Sequence, residues 1–213
     1  QKITDIYADQ GYAFVNINPQ IQDFLDKVDV IIYITLNKKV YVNRITISGN
    51  TRTQDEVIRR EIGISEGGLY SRSALRNSVL KLRRLGYFSD VQMSASEVEG
   101  IPDKIDLNFV VEETKTGAIS FSVSHSNSYG ISLGAGIQEK NIFGSGNTLN
   151  AQLKLSESFN KLSFYFENPY FNDDNHSISY GAFISEINDD DIMSDSYEIS
   201  TKGLSLGYGV PLS

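Results

Sequence analysis

Hydrophobic and polar residues keep two different rhythms along this chain. Up to about residue 116, short alternating runs are interleaved with segments whose apolar residues recur at three and four positions; beyond it only period-two alternation remains. In the first part, Val40-Tyr41-Val42-Asn43-Arg44-Ile45-Thr46-Ile47 is β-branched and alternating and predicts a strand closed by the turn Gly49-Asn50. Thr53 and Glu56 have the spacing of a capping box, so a helix carrying Val57, Ile58 and Ile62 is expected from there to about Gly63. After the loop Ser65-Glu66-Gly67-Gly68, Ser71 is expected to start a second helix with Leu75, Val79, Leu82 and Leu85 on one face and Gly86 as its terminator. Strands over 90–96 and 104–112, separated by Gly100-Ile101-Pro102-Asp103, complete the order β-α-α-β-β.

Part of the same unit precedes it. Gly11-Tyr12 recurs as Gly86-Tyr87, and Lys27-Val28-Asp29-Val30 recurs as Lys104-Ile105-Asp106-Leu107, at offsets of 75 and 77 residues. A repeat this long signals tandem copies of one small domain. Residues 1–10 then read as the end of the first copy's second helix, and 13–19 and 27–36 as its last two strands. The linker to Val40 is short enough to hold the two copies in a fixed relation.

In the second part, Ile119, Phe121, Val123 and His125 alternate with Ser120, Ser122, Ser124 and Ser126. Similar rows follow: Ile131, Leu133, Ala135 and Ile137; Leu149, Ala151, Leu153 and Leu155; Leu162, Phe164 and Phe166; Ile178, Tyr180, Ala182 and Ile184. A sixth run over 196–210 shifts its alternation near Gly203-Leu204, where a bulge is expected. Six such runs joined by turn-rich segments predict an antiparallel up-and-down sheet. A membrane strand needs only about 9–11 residues, while a closed membrane barrel has at least about eight strands. The runs fit either the start of a barrel that continues past Ser213 or a soluble sheet.

Charge and composition change where the rhythm does. Residues 1–116 hold 16 acidic and 15 basic side chains, net −1, and 117–213 hold 11 and 4, net −7; glycines number 7 before residue 117 and 10 from it onward. A domain boundary is therefore placed there, giving units at 1–39, 40–116 and 117–213. Basic residues of the first part are mixed with acids, which argues against nucleic acid as a partner. Cysteine is absent and only His125 and His176 occur, so no thiolate or histidine-rich metal site is expected. No phosphate loop, Gly-x-Ser-x-Gly elbow or nucleophile–base pair is present, so neither catalysis nor a cofactor is expected. Asp189-Asp190-Asp191 with Asp195 lacks the spacing of a calcium loop and reads as a solvated segment. No apolar run is long enough for a transmembrane helix, and the ends read as those of a piece of a longer chain.

Several short motifs occur in a specific order. Val40-Tyr41-Val42 with Ile45 and Gly49-Asn50-Thr51, then Arg59-Arg60-Glu61, then Leu82 with Arg84-Leu85-Gly86-Tyr87-Phe88, resemble a POTRA domain, whose order is also β-α-α-β-β. Gln138-Glu139-Lys140-Asn141-Ile142-Phe143-Gly144-Ser145-Gly146, Glu167-Asn168-Pro169-Tyr170-Phe171 and Gly207-Tyr208-Gly209-Val210-Pro211 resemble turns and a strand end in the barrel that follows POTRA domains in the outer-membrane β-barrel assembly family. The resemblance covers essentially the whole chain. It implies α+β POTRA domains followed by all-β antiparallel up-and-down transmembrane barrel strands, an incomplete barrel. Residues 1–39 would be the C-terminal part of a fourth POTRA domain, 40–116 a complete fifth, and 117–213 the first six or so barrel strands.

The implied function is that of the core subunit of the outer-membrane protein assembly machinery of a Gram-negative bacterium. Such a subunit folds and inserts β-barrel proteins by strand templating at a lateral gate, without cofactor or enzymatic chemistry. Its barrel sits in the outer membrane and its POTRA domains in the periplasm. The implied partners are outer-membrane lipoproteins of the assembly complex, unfolded outer-membrane protein substrates and outer-membrane lipid. Alternatives are a related POTRA-barrel polypeptide transporter, of the two-partner secretion or translocation-and-assembly type, or a barrel anchoring a fused enzyme. The gate strand would carry Gly117, Ile119, Phe121 and Val123, its free backbone edge templating a client strand; the plainer reading is an ordinary wall strand with a polar serine row. The resemblance also places Glu66 and Arg59 at lipoprotein-docking positions, with Gly63 standing where the family often has another basic residue; the plainer reading is a solvated surface pair. Strands over 90–96 and 13–19 are further candidates for binding extended segments. Phe143, Phe164, Tyr165, Phe166, Tyr170, Phe171 and Tyr208 lie near strand ends, as an interfacial girdle requires.

Overall fold

The computed structural model describes residues 2–24, 27–127, 130–189 and 197–211. Two compact units are formed, Gln1–Thr114 and Lys115–Ser213. In the first, helix α1 (Lys2–Asp9) leads into strands β1 (Val15–Phe24) and β2 (Lys27–Leu36), which pair antiparallel from Val15↔Leu36 to Phe24↔Lys27. The first of these strands runs beyond the expected end at Pro19. Proline is tolerated there because, among the described residues, β1 pairs with β2 alone and its other side donates to no ladder.

The complete copy consists of β3 (Tyr41–Ser48), α2 (Asp55–Arg59), α3 (Arg72–Arg84), β4 (Phe88–Val98) and β5 (Ile101–Glu113). Its sheet order is β3-β5-β4, with β5 in the centre, parallel to β3 and antiparallel to β4. Alternate residues of the central strand, Ile105, Leu107, Phe109 and Val111, are buried against Val57 and Ile58 of α2, Leu75 and Leu82 of α3, and Val42 and Ile45 of β3. Helix α3 starts as its sequence predicts: the Ser71 hydroxyl accepts from the Ala74 N–H at 3.2 Å. It ends before Gly86, whose φ of 71° suits glycine. Asp9 at the end of α1 reinforces the start, accepting from the Ser73 N–H at 2.8 Å and the Ser71 hydroxyl at 2.9 Å. Burial acts to raise the Asp9 pKa, but these hydrogen bonds and Arg72 outweigh it and lower the value.

The first helix of this copy departs from expectation. Thr53 is not its cap; Gln54 occupies that position without a side-chain hydrogen bond, and the helix closes at Arg59 rather than near Gly63. The reason lies 60 residues away in the chain. Glu113, the last residue of β5, accepts backbone N–H groups from Thr51 at 3.0 Å, Arg52 at 2.9 Å and Thr53 at 2.6 Å, and the Thr51 hydroxyl at 2.7 Å. A long-range carboxylate thus takes the Thr53 N–H that Glu56 would accept in a local capping box, and it holds the turn before the helix rather than the helix's own first N–H groups. Burial acts to raise the Glu113 pKa, but the bonds from Thr53, Thr51 and Arg52 prevail and hold it at about 2, below the usual 4.5.

The second unit is a six-stranded antiparallel meander of β6 (Gly117–Ser126), β7 (Gly130–Ile142), β8 (Asn147–Ser156), β9 (Phe159–Asn168), β10 (Ser177–Asp189) and β11 (Tyr197–Gly209), paired in chain order. The register aligns the sequence rows into two faces. One cross-strand row reads Ile119, Ile137, Ala151, Phe164, Ala182, Leu204; the adjacent row on the opposite face reads Ser120, Gly136, Gln152, Ser163, Phe183, Gly203. One face is therefore apolar and the other mostly small or polar, as a wall between lipid and a wet lumen requires. The bulge expected near Gly203-Leu204 is absent: β10 and β11 pair without a register shift from Ser177↔Gly209 to Asp189↔Tyr197. Tyr197 and Ile199 accordingly share the polar face with Phe183, whose ring covers Gly203. The shifted alternation reflects apolar residues on that face rather than an inserted residue. No helix among the described residues is long and apolar enough to cross a membrane, which says nothing of crossing by strands.

Candidate functional site: a strand edge and a charged patch

Strand β6 forms one edge of the six-stranded sheet and pairs only with β7 among the described residues. Ile119, Phe121 and Val123 stand on the apolar face at 69%, 83% and 76% exposure. They lie opposite Ile137, Ala135 and Leu133. The serines between them are more constrained than a loosely packed polar row. Ser120 and Ser122 lie opposite Gly136 and Gly134, and a Cβ at either glycine would run into the serine hydroxyl. Glycine in β7 thus lets the serines of β6 settle onto its backbone.

Gly117 opens β6 directly across from Glu139. The Glu139 carboxylate accepts from the Thr116 hydroxyl and from the Asn141 N–H at 3.1 Å, and it occupies the space a Cβ on Gly117 would need. The following turn is fixed by Asn141, a buried side chain whose Oδ1 accepts the Gly146 N–H at 2.7 Å. Phe143 sits exposed at its tip with φ 54°. At the far edge, β11 presents Leu204, Leu206 and Tyr208 just as openly. Exposure alone therefore does not distinguish β6.

In the first unit the structure brings Glu66 and Arg59 together, with Arg59 Nη1 3.8 Å from Glu66 Oε1 and both side chains about half exposed. Their shorter contacts are to other groups. Glu66 Oε1 accepts the Ile45 N–H at 2.9 Å, Arg59 Nε donates to Asp55 at 2.9 Å, and Arg59 Nη2 donates to the Ile45 carbonyl at 3.4 Å. Asp55 and the Ile45 backbone were not singled out by sequence. The i,i+4 spacing of Asp55 and Arg59 was a usable signal for the first, whereas the second depends on tertiary contact. Beside the pair lies an open groove of about 460 Å³ lined by Ile45, Ile62, Gly63, Ile64 and Ser65. A Cβ placed on Gly63 would meet only the Ser78 hydroxyl at 3.8 Å, so a side chain can leave the backbone there without a clash.

Strand β4 forms the second edge of the three-stranded sheet, and among the described residues β1 pairs only with β2. The β4 edge carries its own charge guard: Asp90 accepts from Gln92, the Val91 N–H and Arg83, which together lower its pKa. His176 Nδ1 lies 2.5 Å from the Tyr208 hydroxyl and 3.3 Å from Asn172 Nδ2, tying the turn before β10 to β11. Residues 190–196, and with them most of the acidic segment, lie outside the described residues.

The comparisons with known proteins match this geometry. Residues 40–114 match the POTRA family, described as a surface antigen variable number repeat, and 141–213 match the Omp85 superfamily domain. The outer membrane protein assembly factor BamA of Neisseria meningitidis serogroup B is 32% identical over 207 residues, covering 95% of this chain and 26% of the relative. BamA of Nitratidesulfovibrio vulgaris is 34% identical over 214 residues, covering 99% and 26%. This chain thus spans about a quarter of the length of these curated relatives. The crystal structure of Haemophilus ducreyi BamA lacking POTRA domains 1–3 superimposes with a TM-score of 0.85 at 27% identity, over 97% of this chain and 40% of that one. CdiB of Escherichia coli, at 14% identity and a TM-score of 0.56 over 97% of this chain and 38% of its own, shares the fold. With a POTRA domain running directly into strands of the superfamily barrel, the chain belongs to the Omp85 superfamily of POTRA-bearing outer-membrane proteins.

Proposed function

We propose that this chain is the section of an outer-membrane assembly factor in which the last periplasmic POTRA domain joins the first strands of the membrane barrel. Residues 1–39 are the end of a fourth POTRA domain, 40–116 the fifth, and 117–213 the opening strands. The whole protein folds and inserts β-barrel clients into the outer membrane without a cofactor and without bond chemistry. The observation that carries this reading is the edge strand β6, separated by three residues from the last POTRA strand β5, with one side unpaired among the described residues. An unpaired edge offers N–H and C=O groups at the spacing an incoming strand needs. The apolar row Ile119, Phe121 and Val123 continues the lipid-facing surface onto that strand, and Gly117 lets β6 begin against Glu139.

The partners in this reading are unfolded outer-membrane proteins at β6, outer-membrane lipid along the apolar face, and lipoproteins of the assembly complex at Glu66 and Arg59. Reconstitution of the full parent protein into lipid vesicles tests the activity. Folding of a urea-unfolded barrel client, followed by heat-modifiable gel mobility, is expected to accelerate over protein-free vesicles; an unchanged rate would refute the proposal. Docking is tested by pull-down of palmitate-labelled lipoproteins from solubilised outer membranes. Glu66→Lys is expected to weaken recovery, and undiminished recovery would remove Glu66 from the docking patch.

A further inference from the structure

Glu66 and Arg59 are better placed to serve the backbone than each other. Strand β3 is an edge, and its outer side is already partly covered by the chain that follows Glu66. Val42 donates to the Gly68 carbonyl at 2.9 Å, Gly67 donates to the Val42 carbonyl at 2.7 Å, and Tyr70 donates to the Val40 carbonyl at 2.9 Å. Where this short antiparallel segment stops, the two charged side chains take over. Glu66 accepts the Ile45 N–H and Arg59 donates to the Ile45 carbonyl, so together they supply the acceptor and donor that a neighbouring strand would supply. Both side chains are about half exposed, and swinging them aside needs only rotamer changes. The groove beside them, walled by Ile45, Ile62 and Ile64, is positioned to take an apolar side chain from a strand lying along β3.

We propose that Glu66 and Arg59 form a removable plug on the edge of β3, and that an extended client strand adds to this edge once the plug is withdrawn. The trigger is a charged docking partner that claims Glu66 and Arg59 for itself; in this respect the inference rests on the docking reading above. Lipoprotein docking and client capture are then coupled through one pair of side chains. The occupant is an unfolded outer-membrane β-segment because the site offers main-chain groups plus one apolar slot, which suits alternating apolar sequences and carries no information about any particular side chain.

The test uses the full parent protein in detergent, with Glu66→Ala to remove the acceptor and Glu66→Gln to remove only the charge. The probe is a synthetic peptide copying Ser177–Asp189, with a cysteine carried as its pyridyl disulfide in place of the residue matching Phe183, captured when the thiolate of Thr46→Cys, an exposed β3 position, displaces pyridinethione. Glu66→Ala is expected to speed hydrogen exchange at the Ile45 amide at least tenfold and to raise peptide capture. Glu66→Gln is expected to leave both at the parent level while lipoprotein recovery falls. Unchanged Ile45 exchange in Glu66→Ala, or faster exchange without more peptide captured, would overturn the plug. Undiminished lipoprotein recovery by Glu66→Gln would overturn the docking trigger alone, leaving the edge result to be judged on the exchange and capture data.

Discussion

Glu113 provides the most quantitative consequence of the POTRA geometry. Its carboxylate receives hydrogen bonds from Thr51, Arg52 and Thr53, and its pKa is held at about 2 instead of 4.5. A folded pKa below the unfolded one means the carboxylate stabilises the fold fully above the unfolded value, and this contribution is lost as pH falls through 4.5 towards 2. At about 1.4 kcal/mol per pKa unit the ceiling is roughly 3 kcal/mol. Solvent screening at this partly exposed strand end reduces it to roughly 1–2 kcal/mol. The chain has no cysteine, so an environment-sensitive dye on Ser94→Cys reports the POTRA unit alone during urea unfolding of the chain refolded in detergent. The unfolding midpoint is expected to fall between pH 4.5 and pH 2 in the parent. In Glu113→Gln it is expected to start lower at neutral pH and to lose most of that slope. A parent with no acid slope, or a Glu113→Gln variant with an unchanged one, would refute the assignment of this carboxylate as the staple of the Thr51–Thr53 turn.

Three further outcomes follow from named contacts. Asp9→Ala removes the acceptor of the Ser71 and Ser73 bonds at the start of α3 and is expected to cost about 0.5–2 kcal/mol in the same urea assay. Gly117→Ala pushes the end of the Glu139 side chain off its place and is expected to cost about 0.5–1.5 kcal/mol of barrel stability, read by heat-modifiable mobility of the parent, with partial rescue by Glu139→Ala. Gly63→Arg enters open space and is expected to leave the unfolding midpoint within about 0.5 kcal/mol of the parent.

Much of this architecture is legible in the sequence because local signals and tertiary demands agree. Ser71 caps α3 as its spacing predicts, the order β-α-α-β-β appears as read, and the apolar rows of the meander fall on one face because period two survives any register that keeps the pairs in step. The departures have identifiable physical causes. Thr53 gives its N–H to Glu113, a residue no local window connects to it, and Gln54 takes the N-cap position instead. The strand β1 passes through Pro19 because only one of its sides is paired. The shifted alternation in β11 reflects Tyr197 and Ile199 lying on the polar face. Glu66 and Arg59 are recognisable from a family resemblance, yet their bonds to the Ile45 backbone depend on how the loop folds onto β3, and no motif encodes that contact. For β6, sequence locates the strand and its apolar row; its standing at a sheet edge comes from the topology.

The central claim is that β6 templates a client strand through its free backbone edge, and disulfide mapping along that strand in the full parent tests it most directly. Single cysteines at Ala118, Ser120, Ser122 and Ser124 share one face with a client's alternate residues, and those at Ile119, Phe121 and Val123 share the other. During client insertion in vesicles, antiparallel templating predicts crosslinks whose partner positions move backwards along one client strand as the β6 position moves forward, with a face-specific alternation of two. Crosslinks scattered over many client segments without that order, or none at β6 while the client still folds, would contradict it.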